Sequence, residues 1–132
     1  MTTQSKARPF SAAAINPESR PFWDAATRGK LLISKCNHCG KAYFYPRCIC
    51  PFCASMDTAW MEASGDGVIY SYSTMRRAPE RFTLAYITLK EGPKMLTNIV
   101  DCDPDKLHIG QKVCVVFKAA TEGPPIPAFT PA

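Results

Sequence analysis

The fold is decided by residues 36–53, where CNHCG at Cys36–Gly40 is followed, after nine intervening residues, by CPFC at Cys50–Cys53. A two-residue spacer lets both sulfurs of a turn face one point, so two such pairs can surround a metal ion tetrahedrally. Such a closed four-sulfur site has a structural role, and a ribbon of about 30 residues has too little core to fold without it. The spacing therefore predicts a zinc ribbon held by Cys36, Cys39, Cys50 and Cys53.

Some details of this site stay open at the level of the sequence. Cys48 could replace Cys50 as a ligand, although only Cys50 stands two residues before Cys53. Ala54 occupies the place that Gly40 fills in the first knuckle, which predicts a strained second turn. Four cysteines also suit iron, and free thiols or a redox dithiol are the alternative to a metal site.

The composition limits the class of protein. The 132 residues are 46% hydrophobic and 20% charged, which excludes a disordered chain. The chain has no apolar run of about 18 residues, and Met1–Arg20 has no signal-peptide pattern, so we expect neither a membrane span nor secretion. Seven cysteines in such a chain favour metal or free thiols over disulfides. We therefore expect a cytoplasmic protein.

The net charge of +5 is concentrated at one end of the chain. Residues 1–47 carry eight basic and two acidic side chains, whereas residues 48–132 carry eight basic and nine acidic ones. A basic segment can attract a nucleic acid, an acidic partner protein or a phosphate-bearing ligand, or it can simply be a solvated surface.

The first 30 residues are predicted to form a flexible N-terminus and a short docking helix. Asn16, followed by Pro17 and an acidic residue, favours a helix start, and Gly29 favours its end. A helix of about three turns must pack on something to persist. Phe22 and Trp23 are its expected anchors, either in the core of this chain or in a groove of a partner.

Beyond the ribbon, assigned to residues 31–59, the apolar pattern changes to the period of strands. We predict strands over 68–73, 82–89, 94–100 and 113–117, with Val68, Tyr70 and Tyr72 on one face, and a helical turn over 103–107. Cys102 and Cys114 fall on these strand patterns and are expected to be inert core thiols. The proline-rich tail from residue 122 should be extended.

This strand pattern indicates a small five-stranded OB-fold barrel over residues 60–132. The fifth strand is the weakest part of the prediction. It requires residues 60–64 to form a strand separate from residues 68–73.

The motifs together resemble one family, the acyl-CoA-associated OB-fold proteins with a rubredoxin-like zinc ribbon, known as domain of unknown function family 35 (DUF35). The resemblance covers about residues 18–130 and rests on Phe22-Trp23, Gly29–Leu31, Cys36–Gly40, Tyr45–Arg47, Cys50–Cys53, Ser64–Ser71, Leu107–Phe117 and Pro127–Phe129. It implies a mainly β fold, with an N-terminal helix, a zinc ribbon and an OB barrel.

The same resemblance implies a role. Members of this family are non-catalytic subunits that partner thiolase-like, hydroxymethylglutaryl-CoA-synthase-like, aldolase or hydratase subunits in hetero-oligomers. There they help to shape a channel for the acyl-CoA. The residues agree, since neither of the two histidines, His38 and His108, sits beside a plausible catalytic nucleophile or an orienting carboxylate. We therefore expect no catalysis by this chain alone.

Residues 76–82 contain the most suggestive candidate binding segment. Arg76, Arg77 and Arg81, together with Phe82 and Tyr86, could meet the phosphates and adenine of CoA by charge and stacking. They could equally meet an acidic surface on a catalytic subunit, or form a solvated loop.

Two other functions compete with the accessory-subunit hypothesis. Ribbons and OB barrels also bind single-stranded nucleic acids. The near-neutral charge of residues 48–132 disfavours that alternative. A redox or metal-delivery protein would need an exchangeable metal.

Overall fold

The computed structural model describes residues 6–7, 10–77 and 80–132, with side chains for 10–77 and 81–132. Among these residues, one short helix and nine strands form a mainly β arrangement. The N-terminal part contains β1 (Lys6–Ala7), α1 (Arg20–Thr27), β2 (Leu32–Cys36), β3 (Ala42–Tyr43) and β4 (Thr58–Glu62). The remainder contains β5 (Asp66–Met75), β6 (Glu80–Leu89), β7 (Lys94–Ile99), a 3-10 turn (Pro104–Lys106), β8 (Lys112–Lys118) and β9 (Ile126–Pro131).

The zinc ribbon is a three-stranded antiparallel sheet in the order β3-β2-β4. The central strand β2 pairs with β4 from Leu32 opposite Glu62 to Cys36 opposite Thr58. Residues 58–62 therefore pair within the ribbon sheet, and they do not supply the fifth barrel strand.

The second sheet closes into a five-stranded barrel. Its order is β6-β5-β8-β9-β7, the β6–β7 pairing closes it, and β1 adds to β6 in parallel. The predicted OB-fold barrel is confirmed. Its fifth strand is the extended proline-rich tail, where Phe129 of β9 lies opposite Val115 of β8 and is fully buried.

The helix begins at Arg20, four residues after the predicted start. The Ser19 N–H donates to Asn16 Oδ1 at 2.9 Å, and the Asn16 N–H donates to Ser19 Oγ at 3.2 Å. These bonds close a separate turn, because Asn and Ser side chains satisfy nearby backbone groups outside helices. Phe22 and Trp23 are buried, so they anchor the helix in the core of this chain. No helix among the described residues is long and apolar enough to cross a membrane.

A β-bulge changes the predicted faces of β5. The register shifts between Ile69 and Ser71, which leaves Tyr70 as the extra residue on that strand. Tyr72 therefore lies opposite the buried Ala85 and belongs to the inner face, with its hydroxyl donating to a loop carbonyl at 2.8 Å. The prediction that Val68, Tyr70 and Tyr72 share one face was wrong, because a bulge moves every later side chain to the other face.

One hydrophobic core runs through the helix, the ribbon and the barrel. Phe22 is packed against Trp23, Phe44 and Tyr45, with ring centroids 4.8, 5.7 and 6.0 Å away. The same cluster continues into the ribbon and the barrel through Leu31, Ile33, Ala63, Ile69, Ala85, Ile87, Leu89, Met95, Ile99, Leu107, Val113 and Phe129.

Candidate functional site

The four predicted ligands come together at the tip of the ribbon. The Sγ atoms of Cys36, Cys39, Cys50 and Cys53 all lie within 4.8 Å of one another. Two of the separations, Cys36 to Cys53 and Cys39 to Cys50, are 3.5 and 3.7 Å. A tetrahedral zinc ion with Zn–S bonds of about 2.3 Å separates its sulfurs by about 3.8 Å. The quartet therefore fits one zinc ion, with no ligand position left open.

Backbone amides within the knuckles favour thiolates. The Cys39 N–H, opposed by burial and aided by the His38 N–H, lowers the pKa of the Cys36 thiol to about 6. The Ser55 N–H lowers the pKa of Cys53, but burial and the neighbouring thiols raise it to about 12. Zinc is bound by thiolates, so metal binding would release the protons of the ligand thiols.

The two knuckles differ in one backbone position. Gly40 has a φ of +78° with no atom within 4 Å of an added Cβ, and Ala54 has a φ of +64° in the matching place. A left-handed conformation costs a non-glycine residue about 1–2 kcal/mol. Ala54→Gly should therefore raise the unfolding free energy of the zinc-loaded protein by up to about 1 kcal/mol.

Gly40→Ala is the reciprocal variant and should lower the unfolding free energy by about 1 kcal/mol. Thermal unfolding at fixed zinc concentration measures both changes. A lower melting temperature for Ala54→Gly would contradict the strain at this turn.

The other three cysteines lie outside the quartet. The Cys48 N–H donates to the Glu18 carboxylate, and that carboxylate raises the pKa of the exposed Cys48 thiol. Cys114 is half-buried on β8. Cys102 lies in the loop after β7 and not on a strand. Burial raises its pKa, and its side chain lines a cavity.

A cavity of about 600 Å³ opens at the end of the barrel where β5, β7 and β8 end and β6 begins. Thr74 and Thr83 line this cavity, and their hydroxyls are hydrogen-bonded to each other at 3.0 Å. Arg81 and Phe82 are part of its lining, beside apolar residues of the β7 end. This is the region between the first and fourth inter-strand loops in which OB folds bind their ligands. We refer to it as the barrel-mouth cavity.

The five candidate binding residues are only partly brought together. Arg76 is paired with Asp105 at 2.6 Å, and Arg77 is exposed but does not line the barrel-mouth cavity. Tyr86 lies opposite Leu96 on the outer face of the sheet, away from the cavity lining. Alternation along β6 separates it from the inward-facing positions.

The structure adds cavity residues that the sequence analysis missed. Lys118 is part of the lining and pairs with Asp101, another lining residue, at 2.5 Å. Residues 119–121, which follow β8, complete that side. Their position in the fourth inter-strand loop of an OB fold was the signal that could have identified them.

Comparisons with known proteins identify the family. A family model described as the ChsH2 rubredoxin-like zinc ribbon domain matches residues 23–57, and the ChsH2 C-terminal OB-fold domain matches residues 60–118. A DUF35 domain-containing scaffold protein of Methanothermobacter thermautotrophicus is 37% identical over 102 residues, which is 72% of this chain and 77% of the relative. The chain belongs to the ChsH2/DUF35 family.

Two further relatives of this DUF35 chain are named as parts of enzymes. A chain of the solved Ltp2-ChsH2(DUF35) aldolase matches with a TM-score of 0.81 and 32% identity, covering 91% of this chain and 98% of that one. The probable enoyl-CoA hydratase alpha subunit of Thermomonospora curvata is 33% identical over 124 residues. That match takes in 90% of the DUF35 chain but spans only 39% of the hydratase subunit.

Proposed function

We propose that this chain is a non-catalytic scaffold subunit that binds a thiolase-like or aldolase-type catalytic subunit and helps to hold its acyl-CoA substrate. The observation that carries the proposal is the match to the DUF35 chain of the Ltp2-ChsH2(DUF35) aldolase over nearly its full length. The proposal includes a cytoplasmic location and the predicted division into residues 1–30, 31–59 and 60–132, with the ribbon extended to Glu62 because β4 pairs with β2.

We place the carbon–carbon bond chemistry in the partner because, among the described residues, neither histidine has its imidazole hydrogen-bonded to a carboxylate or a nucleophile, and both side chains are exposed. His38 lies between Cys36 and Cys39 of the zinc quartet, and its backbone N–H donates to Cys36 Sγ at 3.3 Å. The backbone N–H of His108 donates to Gln111 Oε1 at 3.1 Å in the loop before β8.

The barrel-mouth cavity has the chemistry to hold part of an acyl-CoA. CoA combines anionic phosphates with a long, weakly polar chain and an apolar acyl group. The cavity combines the cation Arg81, the Lys118–Asp101 ion pair, the ring of Phe82 and the apolar Ile99 and Val100. Its volume lies within the range of about 300–1,000 Å³ that is usual for small-molecule sites.

Co-expression tests the scaffold role. The chain is produced with the thiolase-like or aldolase-type subunit encoded beside it, and the mixture is analysed by size exclusion with light scattering. We expect a stable hetero-oligomer that contains both chains. Separate elution of the two proteins at micromolar concentration would overturn the proposal.

Arg81→Ala tests the cavity within that complex. Loss of one charge-assisted contact to a phosphate should raise KM for the acyl-CoA about tenfold and leave kcat nearly unchanged. Arg28→Ala, an exposed arginine that follows α1, is the matched control. Equal kinetic constants for Arg81→Ala and the wild type would show that acyl-CoA does not bind in this cavity, and the scaffold role would be unaffected.

The nucleic-acid alternative has a direct test, because OB barrels also hold oligonucleotides between these loops. Labelled single-stranded DNA and RNA are titrated at 50 and 200 mM salt. Submicromolar binding that falls steeply with salt would favour that function over the scaffold.

A further inference from the structure

Strand β6 is apolar on both of its faces. Its inward residues Ala85, Ile87 and Leu89 are at most 2% exposed, as a barrel core requires. Its outward residues Leu84 and Tyr86 are 38% and 47% exposed. An antiparallel strand with one face in water normally alternates apolar and polar side chains, and continuous apolar character is typical of strands covered on both sides.

The neighbouring strands extend this apolar surface. Leu96 of β7 lies directly opposite Tyr86 and is 52% exposed. On the other side, the bulged Tyr70 of β5 is 55% exposed and lies next to Ser71, the partner of Tyr86. Tyr86 and Leu96 form the directly opposed pair of this patch. Leu84 and Val68 extend it along β6 and β5, where their cross-strand partners are polar. We call it the outer sheet face, and it consists of Val68, Tyr70, Leu84, Tyr86 and Leu96.

The rim of the outer sheet face is mainly basic. The Lys94 ammonium lies 4.8 Å from the centre of the Tyr70 ring, and Lys112 is paired with Val68. Lys90 follows the end of β6 at the same edge, where Asp66 is the exposed carboxylate. The carboxylate of the adjacent turn residue, Glu91, accepts the Ser64 N–H at 2.9 Å.

We propose that the outer sheet face is the docking surface for the catalytic subunit, whose complementary patch is apolar at its centre and acidic at its rim. This inference rests on the proposed function, which supplies the partner. An apolar centre with a polar rim is the usual anatomy of a specific interface. A second copy of this chain fits less well, because two rims that carry the same excess of lysines, Lys90, Lys94 and Lys112, would repel one another.

The test uses the purified complex with the co-expressed thiolase-like or aldolase-type subunit. Leu96→Glu places a carboxylate on this face, opposite Tyr86, and should weaken association at least about 30-fold. Lys94→Glu should slow association about tenfold at low salt and reduce its salt dependence. Calorimetry and stopped-flow association measure these changes, and unchanged zinc content and melting temperature show that the variants fold.

Met56→Glu is the matched control, since Met56 is 76% exposed on the ribbon, outside the outer sheet face. Wild-type affinity for Leu96→Glu would overturn the docking surface and leave the scaffold role intact. Loss of binding by Met56→Glu alone would place the interface on the ribbon. Absence of binding by the wild-type chain would instead contradict the proposed function, and concentration-dependent dimerisation that Leu96→Glu abolishes would assign the face to a second copy.

Discussion

Cys36→Ser should abolish stable zinc binding and unfold the three-stranded ribbon. Cys36 ends β2, is fully buried, and has its Sγ 3.5 Å from that of Cys53. A neutral hydroxyl is a poor zinc ligand, and structural zinc contributes about 10–16 kcal/mol of apparent binding free energy to small ribbons at pH 7. Metal analysis should give about one zinc ion per wild-type chain and almost none in the variant. Loss of dispersed amide resonances from residues 32–62 reports the unfolding.

Cys48→Ser is the matched control, because Cys48 is an exposed cysteine outside the quartet. It should retain the zinc and the melting temperature of the wild type. Loss of metal in Cys48→Ser with retention in Cys50→Ser would reverse the ligand assignment of the second knuckle. Finding one iron ion per chain in the natively produced protein would assign iron, and not zinc, to this site.

Phe22→Ala should lower the unfolding free energy by about 3–5 kcal/mol, the usual cost of removing a buried phenylalanine. Phe22 is 2% exposed and packs against the rings of Trp23, Phe44 and Tyr45. A helix of eight residues is marginal by itself, so α1 should separate from the ribbon when this anchor is lost. Denaturant unfolding and the fluorescence of Trp23 measure the two effects.

Phe52→Ala provides the same substitution on the surface. Phe52 is 58% exposed. The Lys41 ammonium lies 4.9 Å from the centre of the Phe52 ring. Its loss should cost about 1 kcal/mol or less. Equal destabilisation by the two variants would contradict the role of Phe22 as the core anchor of the helix.

The local features were accessible from the sequence. The metal quartet depends on two tight turns, each set by four consecutive residues, so spacing alone brought Cys36, Cys39, Cys50 and Cys53 together. The capped turn was equally local, since Asp103 accepts the Asp105 N–H at 3.0 Å and Pro104 begins the 3-10 turn.

The features that the sequence did not reveal depend on distant pairing. Prolines 127 and 131 weaken the strand signal of β9, yet this segment has a place between β8 and β7 because Phe129 fills the barrel core. The bulge at Tyr70 has no sequence mark of its own, and it shows only in the pairing of β5 with β6. The same pairing places Tyr86 on the outer sheet face, away from the arginines that precede it in the chain.

The position of β9 also fixes the order in which the chain can mature during translation. All strands of the ribbon and all four cysteines of the quartet precede Asp66, whereas the barrel cannot close until residues 126–131 have been made. At about 5–20 residues per second, synthesis of the intervening segment takes roughly 3–13 s. The ribbon can therefore take up its metal while the barrel is still open, so zinc shortage would act on the nascent chain before the barrel has closed.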